Sequence, residues 1–257
     1  MEQDLEGRRA HVTGAGRGIG LAIAQRLAAG GARVALSDVD EDAAKAAAAS
    51  LGDGHVGLRC NVRSTDEVRA AMAATTEALG GLDLLVNNAG IEVGAPVPET
   101  TEEEFMRLLD INVTGVYRCT QAALPALAEA GASGDAAIVN MASVAGVVGC
   151  PLLSVYCASK AAVIRYTEVC AIELRQAGIR ANAVCPAFID TLMVDRLAPK
   201  VAEVTGLDFA EIVAVKQGRK GTVEEVAEVT AFLGSDESSW TTGAHFVLDG
   251  GLTGSLL

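Results

Sequence analysis

The sequence predicts a single α/β domain in which a mainly parallel, doubly wound sheet of seven strands is covered by helices on both faces. Short apolar runs alternate with longer helical patterns over all 257 residues, as in repeated β-α units. A composition of 50% hydrophobic residues is enough for one sizeable core. No linker, charge block or internal repeat divides the chain, so we expect one domain over residues 1–257.

Seven strand candidates follow one another along the chain, and most are apolar throughout, as expected for strands that are covered on both faces. They are RRAHVTG, ARVALSD, HVGLRCNV, LDLLVNNAG, DAAIVNMAS, IRANAVCPA and HFVLDGG. Helix candidates lie between them at about residues 18–30, 40–51, 64–80, 101–130, 154–177 and 222–234. Asp40 and Ser64 are suitable N-caps, and Thr222 with Glu225 forms a capping-box pattern.

Charge and composition exclude several function classes. The net charge is −13 and no basic stripe is present, so we expect no nucleic-acid partner. The N-terminal MEQDLEGRR lacks the apolar core of a signal peptide. The uncharged stretch 136–159 contains Asn, Gly, Pro and Ser and is typical of a strand, a loop and a helix rather than a membrane span. These features predict a cytoplasmic protein with no membrane partner.

The cysteines show neither a CxxC motif nor a spacing with histidine that is typical of a metal site. They are Cys60, Cys119, Cys150, Cys157, Cys170 and Cys185. In a chain of this size they are typical of buried free thiols in a reducing compartment, with a disulfide or metal set as the alternative. We expect no metal.

The first strand candidate ends in VTGAGRGIG, which opens the first helix candidate. Gly14, Gly18 and Gly20 would allow a tight turn, close approach to a pyrophosphate and close packing of the helix. The N–H groups at the start of the helix are suited to bind phosphate. The spacing G-x-x-x-G-x-G differs from the general G-x-G-x-x-G fingerprint, and a surface turn is the alternative. The position after a strand and before a helix favours nucleotide binding.

An acidic residue, Asp38, ends the second strand candidate eighteen positions after Gly20. A carboxylate here can accept hydrogen bonds from the adenosine ribose and repels a 2′-phosphate, which favours NAD over NADP. Arg17 and Arg33 are nearby cations that could serve a 2′-phosphate. The alternative role of Asp38 is that of a helix N-cap.

Tyr156 and Lys160 lie one turn apart on one face of a predicted helix. A fixed cation lowers the pKa of a phenol from its usual value near 10, so the pair could transfer a proton to or from a substrate oxygen. Ser143, at the end of the fifth strand candidate, could hydrogen-bond the same oxygen. Taken alone, a Y-x-x-x-K pattern indicates only an exposed helix face.

Together these motifs resemble the short-chain dehydrogenase/reductase family over nearly the whole chain. The resemblance rests on Thr13-Gly14-x-x-x-Gly18-x-Gly20, Asn87-Asn88-Ala89-Gly90, Asn112, Ser143, Tyr156-x-x-x-Lys160 and the terminal LDGG. It implies a Rossmann fold in which Tyr156 is the general acid/base and Lys160 lowers its pKa and orients the nicotinamide ribose. It also implies that Ser143 positions the substrate oxygen and that Asn112 holds a water in a proton relay; a mid-helix amide bonded to backbone is the alternative for Asn112.

The glycine loop, Asp38 and the resemblance together predict the cofactor contacts. These are Gly14, Arg17, Gly18, Ile19, Gly20, Asp38, Asn61, Val62, Asn88, Ala89, Gly90, Tyr156, Lys160, Pro186, Ala187, Ile189 and Thr191. Two residues depart from the family pattern: Asn61 replaces an Asp beside the adenine, and Ala187 replaces a Gly. An Ala at a position that requires positive φ would cost stability.

The resemblance places a substrate lid at about 188–218, and its first part is apolar, which suits a mostly hydrophobic substrate or packing of the lid on the body. The expected substrate contacts are Ser143, Ala145, Cys150, Leu153, Tyr156, Leu192 and Met193. Glu92 is the only charge near this pocket; it could contact a polar group of the substrate, but the sequence favours an exposed loop carboxylate there. Resemblance further implies a homotetramer or homodimer, with which the apolar tail GSLL is consistent.

These expectations describe an NAD-dependent oxidoreductase that interconverts a secondary alcohol and its ketone. A cyclic or steroid-like alcohol, a hydroxy acid and a short diol all remain open as substrate classes. An NADPH-dependent 3-oxoacyl or polyketide ketoreductase is the alternative enzyme, against which Asp38 argues. A non-catalytic nucleotide-binding regulatory protein is the alternative of another class, although such a protein has no need of Ser143, Tyr156 and Lys160.

Overall fold

The computed structural model describes residues 5–134 and 136–254, so residues 255–257 of the apolar tail lie outside the described part. Seven strands form one sheet in the order β3-β2-β1-β4-β5-β6-β7, and every neighbouring pair is parallel. The strands are β1 (Arg9–Thr13), β2 (Arg33–Asp38), β3 (Val56–Arg59), β4 (Leu84–Asn87), β5 (Ala136–Met141), β6 (Ile179–Pro186) and β7 (His245–Leu248). The predicted fold class is confirmed, and the sheet is wholly rather than mainly parallel.

Helices connect the strands and cover both faces of the sheet. They are α1 (Gly18–Ala29), α2 (Glu41–Ser50), α3 (Thr65–Leu79), α4 (Glu102–Leu109), α5 (Gly115–Gly131), α6 (Ser154–Leu174), α7 (Leu192–Thr205), α8 (Phe209–Lys216) and α9 (Val223–Gly234). The helix expected over 101–130 is interrupted by a π-helical turn, Asp110–Thr114, between α4 and α5. The predicted caps are present, since Asp40, Ser64 and Thr222 each accept a backbone hydrogen bond at the start of α2, α3 and α9.

Two apolar clusters hold the layers together. On one face, Leu27 of α1 and Val226 of α9 pack on the sheet and are fully buried. On the other face, Met72 of α3 and Leu127 of α5 pack around Ile138 of β5. Truncating one such side chain to Ala typically costs about 2–5 kcal/mol, so these contacts make the sheet a rigid support for the loops at its edge.

One polar side chain, His11, is fully buried in β1. Its Nδ1 lies 2.7 Å from the Thr75 hydroxyl and its Nε2 lies 2.9 Å from the Ser37 hydroxyl. Because the Thr75 hydroxyl donates to the carbonyl of Ala71, it accepts from Nδ1–H, and Nε2 accepts from Ser37. Burial lowers the pKa of His11 from 6.5 to about 4, so this neutral tautomer is the form that the fold holds.

The strand order reverses between β1 and β4, and this reversal opens a crevice at the carboxyl ends of the strands. Thr13 and Asn88 tie the two strand ends together: the Thr13 hydroxyl accepts from the N–H groups of Asn88 and Ala89, each at 3.0 Å. The Asn88 amide donates back to the carbonyls of Thr13 and Gly14, at 2.9 and 3.0 Å. The crevice therefore has a fixed floor. Among the described residues, no helix is both long enough and apolar enough to cross a bilayer.

Candidate active site

A cleft of about 640 Å³ runs along the carboxyl ends of the strands, from the end of β2 past the β1–β4 crevice to the start of α7. It contains the glycine loop at one end and Ser143, Tyr156 and Lys160 at the other. In the described residues, no group of three or more His, Cys, Asp or Glu side chains is placed to hold a metal ion.

The start of α1 opens into this cleft without a side-chain cap. Arg17, its N-cap residue, is extended and makes no capping hydrogen bond, and the first turn holds no acidic side chain. Helices α2 and α3, in contrast, are capped by Asp40 and Ser64. The first-turn N–H groups of α1 and the positive end of its dipole are therefore available to an anion such as a pyrophosphate.

Glycine is required in the loop for two different reasons. Gly14 has φ +64°, and a Cβ there would lie 2.9 Å from the Cα of Ala89. A Cβ on Gly20 would collide with the carbonyl of Gly14 and lie 2.5 Å from the Asn88 amide nitrogen. Gly18 has φ +58° and open space around it. The backbone can thus turn tightly and lie close to a ligand, which fits a dinucleotide.

Asp38 lines the cleft at the end of β2 and is 8% exposed. Its two carboxylate oxygens accept from the N–H groups of Gly16, at 3.0 Å, and Asp40, at 3.1 Å. The backbone thus fixes the negative charge in place, and it is Asp40 rather than Asp38 that caps α2. A carboxylate oxygen can accept a second hydrogen bond, so Asp38 can still accept from a ribose hydroxyl.

At the other end of the cleft, α6 presents Tyr156 and Lys160 on one face. Ser143, in the turn after β5, accepts a hydrogen bond from Ala145 N–H at 3.1 Å and is hydrogen-bonded to Tyr156. Lys160 is 5% exposed, donates to the carbonyl of Met141 at 2.7 Å, and places its Nζ 5.5 Å from the centre of the Tyr156 ring. One donor of the ammonium is used in this way, and two more are available to a ligand.

The pKa values of the two groups move in the directions that burial dictates. Burial raises the pKa of Tyr156 to about 12, against the lowering effect of the Ser143 hydrogen bond, and the negative charge of Glu92 adds to the rise. Burial lowers the pKa of Lys160 to about 8. The expectation that Lys160 brings the Tyr156 pKa below its ordinary value is therefore wrong for the protein chain by itself, because desolvation is the largest effect.

Asn112 lies in the π-helical turn and is 1% exposed. Its carboxamide accepts from the N–H of Ile91 at 2.9 Å and donates to the carbonyl of Ile91 at 2.8 Å and to Ser159 at 3.2 Å. A π turn inside a helix often lies at a functional site. Here the turn directs Asn112 onto the loop after β4, so its side chain fixes that loop beside Lys160.

The family model described as Enoyl-(Acyl carrier protein) reductase matches residues 14–253. The chain belongs to the short-chain dehydrogenase/reductase family. It is 39% identical over 251 residues to a 2,5-dichloro-2,5-cyclohexadiene-1,4-diol dehydrogenase of Sphingobium indicum, a match that covers 97% of this chain and 98% of the relative.

A second relative and a solved structure extend the match over almost the full chain. The chain is 36% identical over 262 residues to 2-(S)-hydroxypropyl-CoM dehydrogenase 3 of Xanthobacter autotrophicus, covering 98% of this chain and 99% of the relative. The structure of a 3-ketoacyl-(acyl-carrier-protein) reductase from Brucella melitensis complexed with NADH has TM-score 0.88 and 35% identity, and covers 97% and 99% of the two chains. This family binds a nicotinamide dinucleotide, and the chain is an oxidoreductase.

Most of the sequence-predicted residues of this short-chain dehydrogenase/reductase lie in the one cleft. Those that line it are Gly14, Arg17, Gly18, Ile19, Gly20, Asp38, Asn61, Val62, Asn88, Ala89, Gly90, Ser143, Tyr156, Lys160, Pro186, Ala187, Ile189, Thr191, Leu192 and Met193. Ala187, which replaces the usual glycine, is not strained, because Leu152 is the only non-glycine residue with positive φ in the part of the chain described.

Four predicted site residues lie outside the lining of the cleft. Asn112 stands behind the loop after β4, as described above. Ala145 and Leu153 are 6% and 4% exposed, and Leu153 forms a parallel bridge with Ala95. Cys150 is half-buried before α6. All six cysteines are free thiols, but only four of them are buried, since Cys157 is also half-buried.

The predicted lid region forms α7 and α8. Gln217 holds its two ends, since its carboxamide accepts from the N–H of Phe188 at 3.1 Å and donates to the carbonyls of Phe188 and Arg219, each at 2.9 Å. Leu192 and Met193 line the cleft, whereas Leu197 is buried. The apolar start of the predicted lid thus both lines the cleft and packs on the body, while its contact with a substrate stays a prediction.

Sequence reasoning missed two arginines and misjudged one carboxylate. Arg63 and Arg196 line the cleft, and neither belongs to a motif that would single it out, although Arg63 directly follows Val62. The Glu92 side chain is 16% exposed and faces Arg196 at 4.0 Å, so the expectation of an exposed loop carboxylate is wrong. The reason is that α7 packs over the loop that carries Glu92, a contact between distant segments.

Proposed function

We propose that the chain is an NAD-dependent dehydrogenase that interconverts a secondary alcohol and its ketone, with Tyr156 as the general acid/base. The observation that carries the proposal is one cleft holding both the uncapped start of α1 with Asp38 beside it and the Ser143–Tyr156–Lys160 group. The names of two relatives, a diol dehydrogenase and a hydroxypropyl-CoM dehydrogenase, support a substrate with a CH–OH group.

Each residue has a role that follows from its position. When bound, the dinucleotide supplies the nicotinamide ring that accepts a hydride from the carbinol carbon in oxidation and returns it in reduction. Tyr156 takes the hydroxyl proton in oxidation and gives it to the carbonyl oxygen in reduction. Ser143 hydrogen-bonds the same oxygen and stabilises the charge that develops on it. Lys160 favours the phenolate by its charge and offers its other donors to the ribose hydroxyls.

A proton relay to solvent would pass behind Lys160. Both N–H groups of the Asn112 carboxamide are used, by Ile91 and Ser159. Its Oδ1 accepts only from the N–H of Ile91 and can accept one more hydrogen bond, so we place an ordered water of the relay on Oδ1. Gly90 leaves the space for it, since a Cβ there would lie 3.3 Å from Asn112 Oδ1 and 3.6 Å from Lys160 Nζ.

The choice of NAD rests on Asp38, whose carboxylate is held by two backbone N–H groups where the ribose hydroxyls would lie. One neighbour in the fold, the 3-ketoacyl reductase, is complexed with NADH. Arg17 and Arg63 also line the cleft and favour the second candidate, an NADPH-dependent ketoreductase, although Arg63 is paired with Asp110 at 2.9 Å. Asp38 argues against it because two negative charges would face each other.

The test is turnover followed by nicotinamide absorbance. We expect the purified protein to reduce NAD with at least one member of a panel of secondary alcohols, and Tyr156→Phe to lose about 10²–10⁴-fold in rate. Tight NADH binding with no turnover of any alcohol or ketone would instead support a nucleotide-binding regulatory protein.

We also propose that the enzyme is a homotetramer or homodimer. Large apolar side chains are exposed on α5 and α6, including Tyr117 at 50% and Ile172 at 63%, and Trp240 before β7 is 99% exposed. Apolar surface of this kind marks a protein contact. Light scattering on the purified protein in solution would give its molar mass and hence the number of subunits.

A further inference from the structure

The loop after β4, residues 91–95, meets the lid helix α7 on the substrate side of the cleft. Lys200 of α7 donates to the carbonyl of Gly94 at 3.1 Å. Leu197 lies against the same glycine, where an added Cβ would be 3.2 Å from its side chain. One turn earlier, Arg196 faces Glu92. The loop and the lid therefore meet along one wall of the cleft, which Ile91 and Arg196 line, and Glu92 lies next to Ile91 in the chain and faces Arg196.

The two members of the pair are held to different degrees. Glu92 follows Ile91, whose backbone is fixed by Asn112 and whose side chain lines the cleft. The Glu92 side chain is 16% exposed, whereas the Arg196 side chain is 72% exposed and itself lines the cleft. The negative charge of Glu92 is close enough to Tyr156 to raise the phenol pKa. A largely buried carboxylate thus faces an exposed cation at the edge of the cleft.

The distance between the two charges defines the group that fits between them. Arg196 Nε and Glu92 Oε1 are 4.0 Å apart, which is too long for a direct hydrogen bond. One oxygen about 2.8 Å from each atom can bridge them, provided that it accepts from the guanidinium and donates to the carboxylate. A hydroxyl group does both. An ether or a ketone oxygen only accepts, and a carboxylate of the substrate would be repelled by Glu92.

A substrate that has only hydrocarbon at this position, away from the reacting hydroxyl, also fits this wall poorly. It would remove water from a carboxylate and a guanidinium without replacing the lost hydrogen bonds, which is costly for charged groups. The group that satisfies both charges is a neutral hydroxyl on the substrate, separate from the one that reacts at Tyr156.

We propose that Glu92 and Arg196 are specificity-determining residues that bind a second hydroxyl group, so that the substrate is a neutral diol or polyol. This inference rests on the proposed function. The oxidised carbinol loses its hydride to NAD and its hydroxyl proton to Tyr156, which gives a hydroxyketone, NADH and a proton. The second hydroxyl, held between Glu92 and Arg196, is unchanged and sets which carbinol carbon faces the nicotinamide.

The experiment compares ring alcohols that differ in one group. Wild type, Glu92→Gln and Arg196→Gln are assayed with NAD and cyclohexanol, the 1,2-, 1,3- and 1,4-cyclohexanediols, and 4-hydroxycyclohexanecarboxylate. We expect the best diol to exceed cyclohexanol by about 10- to 100-fold in kcat/KM, the value of one hydrogen bond to a charged group. Glu92→Gln should reduce this preference about 10-fold or more, mainly through KM of the diol. It should also move the pH dependence of oxidation to lower pH, because a negative charge near Tyr156 is removed.

Lys200→Gln is the matched control, since it removes another contact between loop and lid without touching the cleft. It should leave the diol preference as in wild type. The proposal is overturned if cyclohexanol or the hydroxycarboxylate is the better substrate, or if Glu92→Gln lowers turnover of the diol and of cyclohexanol by the same factor. If alcohols are oxidised by wild type and not by Tyr156→Phe, such a result refutes the second-hydroxyl site alone. If none of the alcohols is oxidised, the proposed function falls with it.

Discussion

Replacing Asp38 by Asn is expected to raise the efficiency of NADP relative to NAD. The carboxylate is 8% exposed and is fixed by the N–H groups of Gly16 and Asp40. It cannot turn away when a 2′-phosphate is brought to the end of β2, because a rotation would break both hydrogen bonds. The substitution keeps the shape of the side chain and removes its charge.

The size of the effect follows from the charges. The 2′-phosphate of NADP carries more than one negative charge at neutral pH, and we count it as one unit for a lower estimate. Two unit charges about 4 Å apart repel by ~1 kcal/mol in water and by ~4 kcal/mol at an effective dielectric of ~20. Because Asp38 is nearly buried, its surroundings lie between these limits, which correspond to about 5- and 1000-fold. We therefore expect the NADP/NAD ratio of kcat/KM to rise by a factor within this range.

The assay measures kcat/KM for both cofactors at one fixed ionic strength, since salt screens exposed charges. Asp40→Asn is the matched control, because it removes the same charge two residues away, from an exposed N-cap that does not line the cleft. Asn is as good an N-cap as Asp, so this variant should leave the cofactor ratio within about twofold of wild type.

Two results would refute the reasoning. One is a wild type that prefers NADP, which would mean that Arg17 and Arg63 outweigh the carboxylate. The other is an equal change of the NADP/NAD ratio of kcat/KM in Asp38→Asn and Asp40→Asn, which would show that the effect comes from the net charge of the protein and not from the position of Asp38. A thermal unfolding curve for each variant shows that the comparison is made between folded proteins.

The structure leads to two further predictions. Burial lowers the pKa of His11 from 6.5 to about 4, so between these two pH values the unfolded chain binds a proton on His11 that the folded chain does not. The free energy of unfolding should therefore fall by about 3 kcal/mol as the pH drops from 6.5 to about 4. Urea unfolding over a pH series should show a steeper loss in wild type than in His11→Gln, and equal slopes would contradict the assignment. Gly20→Ala should lose NADH binding in a fluorescence titration, because its Cβ has no room. Gly7→Ala, at φ +77° with no atom near its Cβ and outside the lining of the cleft, should cost only about 1–2 kcal/mol of backbone strain and keep NADH binding. Similar losses of NADH binding in both variants would show that the collision is not the cause.

The sheet and the cofactor end of the cleft could be predicted because their signals are local. A strand buried on both faces is a continuous apolar run, and the glycine loop, Asp38 and the NNAG segment each follow such a run directly. Parallel strands bring their carboxyl ends to one edge of the sheet. Because each of these motifs follows a strand, the sequence alone predicted that they lie close together at that edge. The caps of α2, α3 and α9 are local signals of the same kind.

The substrate end could not be predicted in the same way because it depends on contacts between distant segments. Glu92 is covered only because α7, about one hundred residues later in the chain, packs over its loop. The π turn at Asn112 interrupts a pattern that is helical on both sides. Nothing in the spacing separates Leu192, which is exposed to the cleft, from Leu197, which is buried.

The direction of the Tyr156 pKa shows why a motif alone does not give the chemistry of a site. Burial raises this pKa from 10 to about 12, which corresponds to about 3 kcal/mol against the phenolate. With Lys160 Nζ 5.5 Å from the ring centre, the attraction of an ammonium for a phenolate is also about 3 kcal/mol at an effective dielectric of ~20. Lys160 can therefore at most cancel the cost of burying the phenolate, which is why it does not bring the pKa of Tyr156 below its ordinary value. Under the proposed function, the further stabilisation of the phenolate comes from Ser143 and from a positively charged nicotinamide. The phenolate is then populated near neutral pH only when the cofactor is in its oxidised form, which couples proton removal to the presence of a hydride acceptor.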